Sequence, residues 1–190
     1  MLIKETQLEG LYIINVPVYK DERGCLFESY TKRKYDAVPG IKIHEFNHEI
    51  ISISNENVFR GFHFQKEPYE QGKLCQVLHG WATDIVVDIR PDSKTYKQVE
   101  KIKLGSDIVD GFKKQLWIPS GFAHGFLSHT NNTIFHYKCT QLRIPSAERT
   151  INVKEFSFEL GFRLDELIMS ERDKNGITLK EYEREQNEKV

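Results

Sequence analysis

Gln115-Leu116-Trp117-Ile118-Pro119-Ser120-Gly121-Phe122-Ala123-His124-Gly125-Phe126-Leu127-Ser128-His129 reads as a strand, a reversal and a second strand. Aliphatic and aromatic residues suit a pleated, half-buried surface on either side. Between them proline fixes one φ and glycine tolerates a positive one, which makes Pro119-Ser120-Gly121 a turn that delivers His124 to the start of a strand. The same texture extends in both directions. Residues 11–18, 24–30, 41–53, 58–65, 73–77, 82–89, 98–104, 115–118, 125–129 and 133–140 have strand composition. Turn signals separate them at 20–24, Pro68, Gly80, Pro91-Asp92-Ser93, Gly105-Ser106-Asp107 and Asn131-Asn132. A short helix or turn over 32–37 precedes Pro39-Gly40. Many short strands at this spacing predict an all-β, antiparallel sandwich or barrel with short peripheral helices. No glycine-rich phosphate loop follows a strand, which argues against a nucleotide-binding parallel sheet.

With 190 residues, no internal repeat and no low-complexity linker, the chain is expected to form one domain, 1–190. From about 178 onward it is charged and almost without apolar periodicity, as in a solvated helix or a frayed tail. Lys plus Arg (27) nearly balances Asp plus Glu (28), so the overall field favours neither nucleic acid nor a membrane surface. No apolar run approaches the length of a membrane-spanning helix, and the N-terminus lacks the pattern of a secretory signal. Cys25, Cys75 and Cys139 form no CxxC pair and leave one over if two were bridged, as expected of a cytoplasmic protein. Asn131-Asn132-Thr133 formally matches a glycosylation acceptor, but without secretion it is a polar turn.

Ionisable residues are unusually frequent in the strands. Within Val58-Phe59-Arg60-Gly61-Phe62-His63-Phe64-Gln65, strict alternation places Phe59, Gly61, His63 and Gln65 on one face and Arg60, Phe62 and Phe64 on the other. A lone buried imidazole is commonly satisfied by a backbone carbonyl. Lys73, His124, Tyr137, Glu148 and Asp173 add more titratable groups than an ordinary core holds, and so point to a site. His44-Glu45-Phe46-Asn47-His48 satisfies HExxH, but two histidines at that spacing share a zinc ion only on a helix. The β-branched flanks predict a strand here, in which their Cα atoms would lie roughly 13 Å apart.

Pro119-Ser120-Gly121-Phe122-Ala123-His124 resembles the second histidine motif of the cupin superfamily, which implies a jelly roll. Where metal-binding cupins carry His-x-His this chain has His63-Phe64-Gln65, so no metal is expected. A more specific resemblance runs from about Leu11 to Asp173. It includes Asp21-Glu22-Arg23-Gly24 with Phe27-Glu28, Phe59-Arg60-Gly61-Phe62-His63-Phe64-Gln65, Gln71-Gly72-Lys73-Leu74 and Val86-Val87-Asp88-Ile89-Arg90. Downstream it includes the 115–126 stretch, Tyr137-Lys138-Cys139-Thr140, Glu148-Arg149 and Ser170-Glu171-Arg172-Asp173. The chain thus resembles the nucleotide-sugar 3,5-epimerases of the dTDP-4-dehydrorhamnose 3,5-epimerase family.

That resemblance implies proton transfer at C3 and C5 of a nucleotide-diphospho-4-keto-6-deoxy sugar, without metal or redox cofactor, in a homodimer that exchanges an N-terminal strand. It makes His63 the base, Asp173 its orienting carboxylate, Tyr137 the acid on the opposite face and Lys73 the group beside the C4 oxygen. It places Arg60 and His124 at the sugar or diphosphate, Arg23 and Glu28 at the nucleotide, and Glu148 and Arg172 at further substrate positions. Two departures touch recognition. His48-Glu49-Ile50 stands where the family has Gln-Asp-Asn, and Arg143 stands where a tyrosine is expected near the nucleotide. These leave open which nucleotide is bound, and nothing in the sequence separates inversion at C3 alone from inversion at both carbons. A metal-dependent cupin enzyme and a non-catalytic nucleotide-sugar-binding protein are the rival readings.

Overall fold

The computed structural model describes residues 1–38, 41, 45–156 and 161–187. Its strands are β1 (Leu2–Glu5), β2 (Tyr12–Pro17), β3 (Tyr19–Asp21), β4 (Gly24–Leu26), β5 (His48–Ser54), β6 (Phe59–Gln65), β7 (Lys73–His79), β8 (Trp81–Asp88), β9 (Val99–Gly105), β10 (Phe112–Ile118), β11 (Phe122–Ser128), β12 (Thr133–Cys139) and β13 (Glu148–Thr150). The helices are α1 (Lys32–Asp36), α2 (Glu171–Lys174) and α3 (Leu179–Asn187), with 3₁₀ turns at Val153–Phe156 and Leu164–Glu166. One sheet runs β1-β2-β10-β7-β12-β5 and the other β13-β6-β11-β8-β9, while β3 and β4 form a separate hairpin. All the pairings between named strands are antiparallel. Sequence neighbours β7 and β8 lie in different sheets, and β10 and β11 likewise. This is the jelly-roll arrangement expected of a cupin-like fold.

Three apolar layers follow from period-two alternation. Between the sheets pack Cys75, Val77, Ala82, Val86, Leu116, Phe122, Phe126 and Phe135. The outer face of the five-stranded sheet, with Phe59, Phe62, Ile85, Val87 and Leu127, is covered by Val153, Phe156 and Tyr182 from the C-terminal third. The outer face of the six-stranded sheet, with Ile14, Val16, Leu74 and Trp117, is covered by Tyr35, Val38 and Ile41.

The structure departs from the sequence-based expectations where pairing rather than local composition decides. β1 and β13 form as partners of β2 and β6, and neither has a strong strand signal of its own. The strand expected over 41–53 begins only at His48, and its His44 lies outside the described residues. The tail from 178 is a helix, but a docked one: Tyr182 is 5% exposed and its hydroxyl donates to the Ile89 carbonyl at 3.0 Å. Glu185 on the same helix pairs with Lys66 and Arg149. A single buried tyrosine leaves no periodicity to detect in a charged stretch, which is why the docking was not legible.

Candidate active site

The site begins with an irregularity in β6. His124 faces His63 across the β6–β11 pair and Phe126 faces Arg60, so two steps along β11 match three along β6. The extra residue is Gly61, whose φ of +148° is accessible to glycine and strained for other residues. A Cβ there would meet the backbone of Gly125, itself a glycine. The bulge resets the alternation. Phe59 and Phe62 both point to the outer apolar layer, while Arg60 and His63 both line one cavity. Strict alternation had put Arg60 and His63 on opposite faces and Phe59 beside His63; the inserted glycine overturns both expectations.

The cavity, about 290 Å³, opens between the two sheets and is lined by Arg60, His63, Lys73, His124, Tyr137, Arg143, Glu148 and Arg172, together with Ile50, Ser52, Gln65, Gln71 and Phe126. His63 and His124 come from the five-stranded wall. Lys73 and Tyr137 come from β7 and β12 in the six-stranded wall and face them. Four cationic side chains line the cavity against one carboxylate, which suits an anionic ligand.

His63 Nε2 lies 2.6 Å from Asp173 Oδ1. The imidazole is about one-third exposed, while the carboxylate is buried. Asp173 is placed by α2, whose N-cap Ser170 Oγ accepts the Asp173 amide at 3.1 Å. Parallel bridges Val58–Ile168 and Ile151–Ile177 tie that segment to the region around β6. Lys73 is 6% exposed and donates to the His63 carbonyl at 3.3 Å. Burial, then the neighbouring Cys139, Cys75 and Glu148, push the Tyr137 phenol well above its ordinary value against the pull of Arg60, so it keeps its proton at neutral pH.

His124 Nε2 lies 2.8 Å from Asp84 Oδ1, and both residues are buried. Burial, joined by Lys73 and His63, lowers the proton affinity of this imidazole against the opposing pull of Asp84. At the rim Glu148 accepts from Arg143 at 2.8 Å and from Arg172 at 2.7 Å. Burial raises the Glu148 carboxyl, but those two guanidinium groups outweigh it and hold it below the usual range. Arg60 Nε donates to Ser54 Oγ at 3.1 Å.

Arg23 and Glu28 lie outside this cavity in their own chain. Arg23 is on the exposed β3–β4 hairpin, paired with Asp21, and Glu28 pairs with Lys34. The other residues given catalytic or binding roles, Arg60, His63, Lys73, His124, Tyr137, Arg143, Glu148 and Arg172, line the cavity, and Asp173 backs His63.

The family model for dTDP-4-dehydrorhamnose 3,5-epimerase matches residues 5–181. The chain belongs to this epimerase family. The family's enzyme from Methanothermobacter thermautotrophicus is 36% identical over 180 residues, covering 93% of this chain and 94% of that one. Among solved structures, the 3,5-epimerase of Legionella pneumophila in complex with dTDP-4-keto-L-rhamnose has 35% identity and a TM-score of 0.85, covering 94% of this chain and 93% of that chain. The dTDP-4-dehydrorhamnose 3,5-epimerase of Elizabethkingia anophelis has 31% identity and a TM-score of 0.84, covering 95% and 97%. The epimerase assignment makes the protein an isomerase with a jelly-roll fold, as the sequence resemblance implied.

Sequence reasoning missed Asp84, and with it Ser52 and Phe126 in the lining. The signal for Asp84 was present: a carboxylate in the middle of Ala82-Thr83-Asp84-Ile85-Val86, a strand otherwise built for a core. One trio among the described residues, Cys75, Asp84 and His124, brings possible metal-ligating atoms within 4.8 Å of one another. Burial raises the Cys75 thiol far above its ordinary value, and a protonated thiol is a poor ligand. A metal ion held there would have to displace that proton.

Proposed function

We propose that this epimerase inverts C3 and C5 of a nucleotide-diphospho-4-keto-6-deoxy sugar, converting dTDP-4-dehydro-6-deoxyglucose to dTDP-4-dehydrorhamnose. One observation carries the reading: an imidazole held by a carboxylate on one wall of the cavity faces a protonated phenol and a buried ammonium on the other. Inversion needs a proton removed from one face of a carbon and returned to the opposite face. With Asp173 accepting the Nε2 proton, His63 takes the substrate proton on Nδ1, an imidazole being a competent base near neutral pH. The broken C–H bond leaves its electrons in the enolate, whose charge develops on the C4 oxygen beside Lys73. Tyr137 gives its proton to the other face of the carbon. Exchange with solvent then reprotonates the phenolate and frees His63, so no electrons leave the cycle and no redox cofactor or metal enters it. Arg60, Arg172, Arg143, His124 and Glu148 hold the diphosphate and sugar, the arginines by their planar donor forks. Ile50 and Arg143 line the cavity at the positions that depart from the family pattern, so they bear on the choice of nucleotide.

The molecule acts as one domain and as a homodimer. Tyr19 (64% exposed) and Leu26 (67% exposed) leave the β3–β4 hairpin apolar and uncovered in one chain, and β1 is an edge strand with all four residues exposed. Exchange of this region would bring Arg23 and Glu28 to the partner's cavity. A cytoplasmic location accords with three unpaired cysteines and with the finding that no described helix is long and apolar enough to cross a membrane.

The test is product analysis by NMR in deuterated water, with dTDP-4-dehydro-6-deoxyglucose and its UDP, GDP and CDP counterparts as substrates. Deuterium at both C3 and C5 of a rhamnose-configured product is expected, and deuterium at C3 alone would assign a single inversion. His63→Ala should fold normally and lose roughly 10²–10⁴-fold in turnover. Activity that disappears on chelation and returns only with an added divalent ion would favour the metal-dependent rival.

A further inference from the structure

Two histidines of the cavity lining that face each other across β6 and β11 are each backed by a carboxylate, His63 by Asp173 and His124 by Asp84. The second pair has no part in the proton transfers above. Asp84 sits on the inner face of β8, fully buried, and spends only one oxygen: Oδ1 meets His124 Nε2, while Oδ2 has no hydrogen-bond partner among the described residues. Taking a carboxylate to zero exposure is costly, and a fold retains it where another interaction depends on it. We propose that Asp84 is a positioning residue for substrate recognition: it fixes His124 with Nε2–H directed at Oδ1, which leaves Nδ1 as the acceptor for a sugar hydroxyl. This rests on the epimerase reading for the identity of the hydroxyl donor, but not for the state of the imidazole.

The surroundings favour that state. The charged and titratable groups near the ring are Lys73 and Cys75 on β7, His63 on β6 and Tyr137 on β12, with Cys139 behind Cys75. Lys73 and His63 oppose a second positive charge on His124, and burial does the same, so the ring is held neutral. In a neutral imidazole one nitrogen donates and the other accepts, and the partner of the first decides which. A carboxylate cannot donate, so Nε2 carries the hydrogen. An amide in its place can donate or accept and therefore releases the tautomer.

Nitrogen-15 NMR of histidine-labelled protein tests this on the native chain. The expected result is a neutral His124 with hydrogen on Nε2 from pH 6 to 8. Asp84→Asn should populate the other tautomer and raise KM about tenfold, the worth of one hydrogen bond, with kcat changed far less. The pH profile of kcat should keep its shape, since the proposed proton transfers do not use Asp84. An Nδ1–H tautomer or a charged ring in the native protein would overturn the proposal, even if the variant fails to fold. So would a folded Asp84→Asn variant with unchanged KM, or a stoichiometric divalent ion held by Cys75, Asp84 and His124. Failure of the epimerase reading itself would show as no turnover by the native protein, and the tautomer measurement would still decide the role of Asp84.

Discussion

Tyr137 and His63 occupy facing walls, and their surroundings differ in the way the proposed acid and base require. The phenol is half-buried and holds its proton; the imidazole is about one-third exposed and rests on a carboxylate. Tyr137→Phe deletes the transferable proton and keeps the ring. Solvent deuterium should therefore still enter the substrate, while net inversion falls more steeply; equal loss of both would remove Tyr137 from the role of opposite-face acid. His124 supplies a second prediction, through stability. Burial lowers its folded-state proton affinity below the ordinary 6.5, so the unfolded chain binds the proton more readily. The contribution is fully present above about pH 6.5 and is lost as the pH falls through and below that value. Glu148, held low by Arg143 and Arg172 against the effect of burial, adds a separate loss that begins only below about pH 4.5. Thermal melts should show Tm declining between pH 7 and 5, ahead of general acid unfolding. A flat Tm over that interval would contradict the assignment.

The β6 strand shows how one inserted residue makes a site. Gly61 turns an alternating strand into one that presents Arg60 and His63 to the same cavity while Phe59 and Phe62 anchor it from behind. An L-residue at this φ carries strain of about 1–3 kcal/mol, and the added Cβ would also press on Gly125. Gly61→Ala is therefore expected to lower the denaturation midpoint and to reduce kcat/KM by more than the stability loss explains, because it moves His63 relative to Asp173 and Tyr137. Gly125→Ala, which would press on the same backbone from the other strand, serves as the comparison. If Gly61→Ala retained full activity, the bulge would be incidental to catalysis. The strap that carries Asp173 is anchored at both ends, by the Ile168 bridge to Val58 and by the docked α3, so the carboxylate reaches His63 although 110 residues separate them in sequence.

Arg23 and Glu28 are the residues on which the proposed exchanged homodimer turns. In their own protomer they project from the exposed hairpin and its following segment, away from the cavity. In an exchanged homodimer each cavity would take them from the partner, and complementation tests this directly. Arg23→Ala and His63→Ala, each impaired alone, should regain activity when unfolded together and refolded, since a mixed dimer contains one cavity with both residues intact. No gain over the separate variants, or a monomer by light scattering, would overturn the exchanged assembly.

Much of the jelly roll was legible because its causes are local. Short apolar runs, Pro119-Ser120-Gly121 and Gly80 set where strands begin and reverse, and β7, β8, β9 and β12 lie where composition places them. The chemically active residue types were legible too, since Lys73, His124, Tyr137 and Glu148 stand out among strand residues. Their grouping was not. Which face His63 shares with Arg60 depends on a bulge defined by the partner strand β11, and the partnership of His124 with Asp84 depends on β8 lying beside β11. The docking of α3 depends on Tyr182 meeting the Ile89 carbonyl just past β8 and on Glu185 meeting Lys66 and Arg149, all far away in the chain. Local composition encodes dihedral preference and burial, whereas register, bulges and cross-sheet neighbours arise from pairings between segments far apart in the chain, and only the folded molecule determines those.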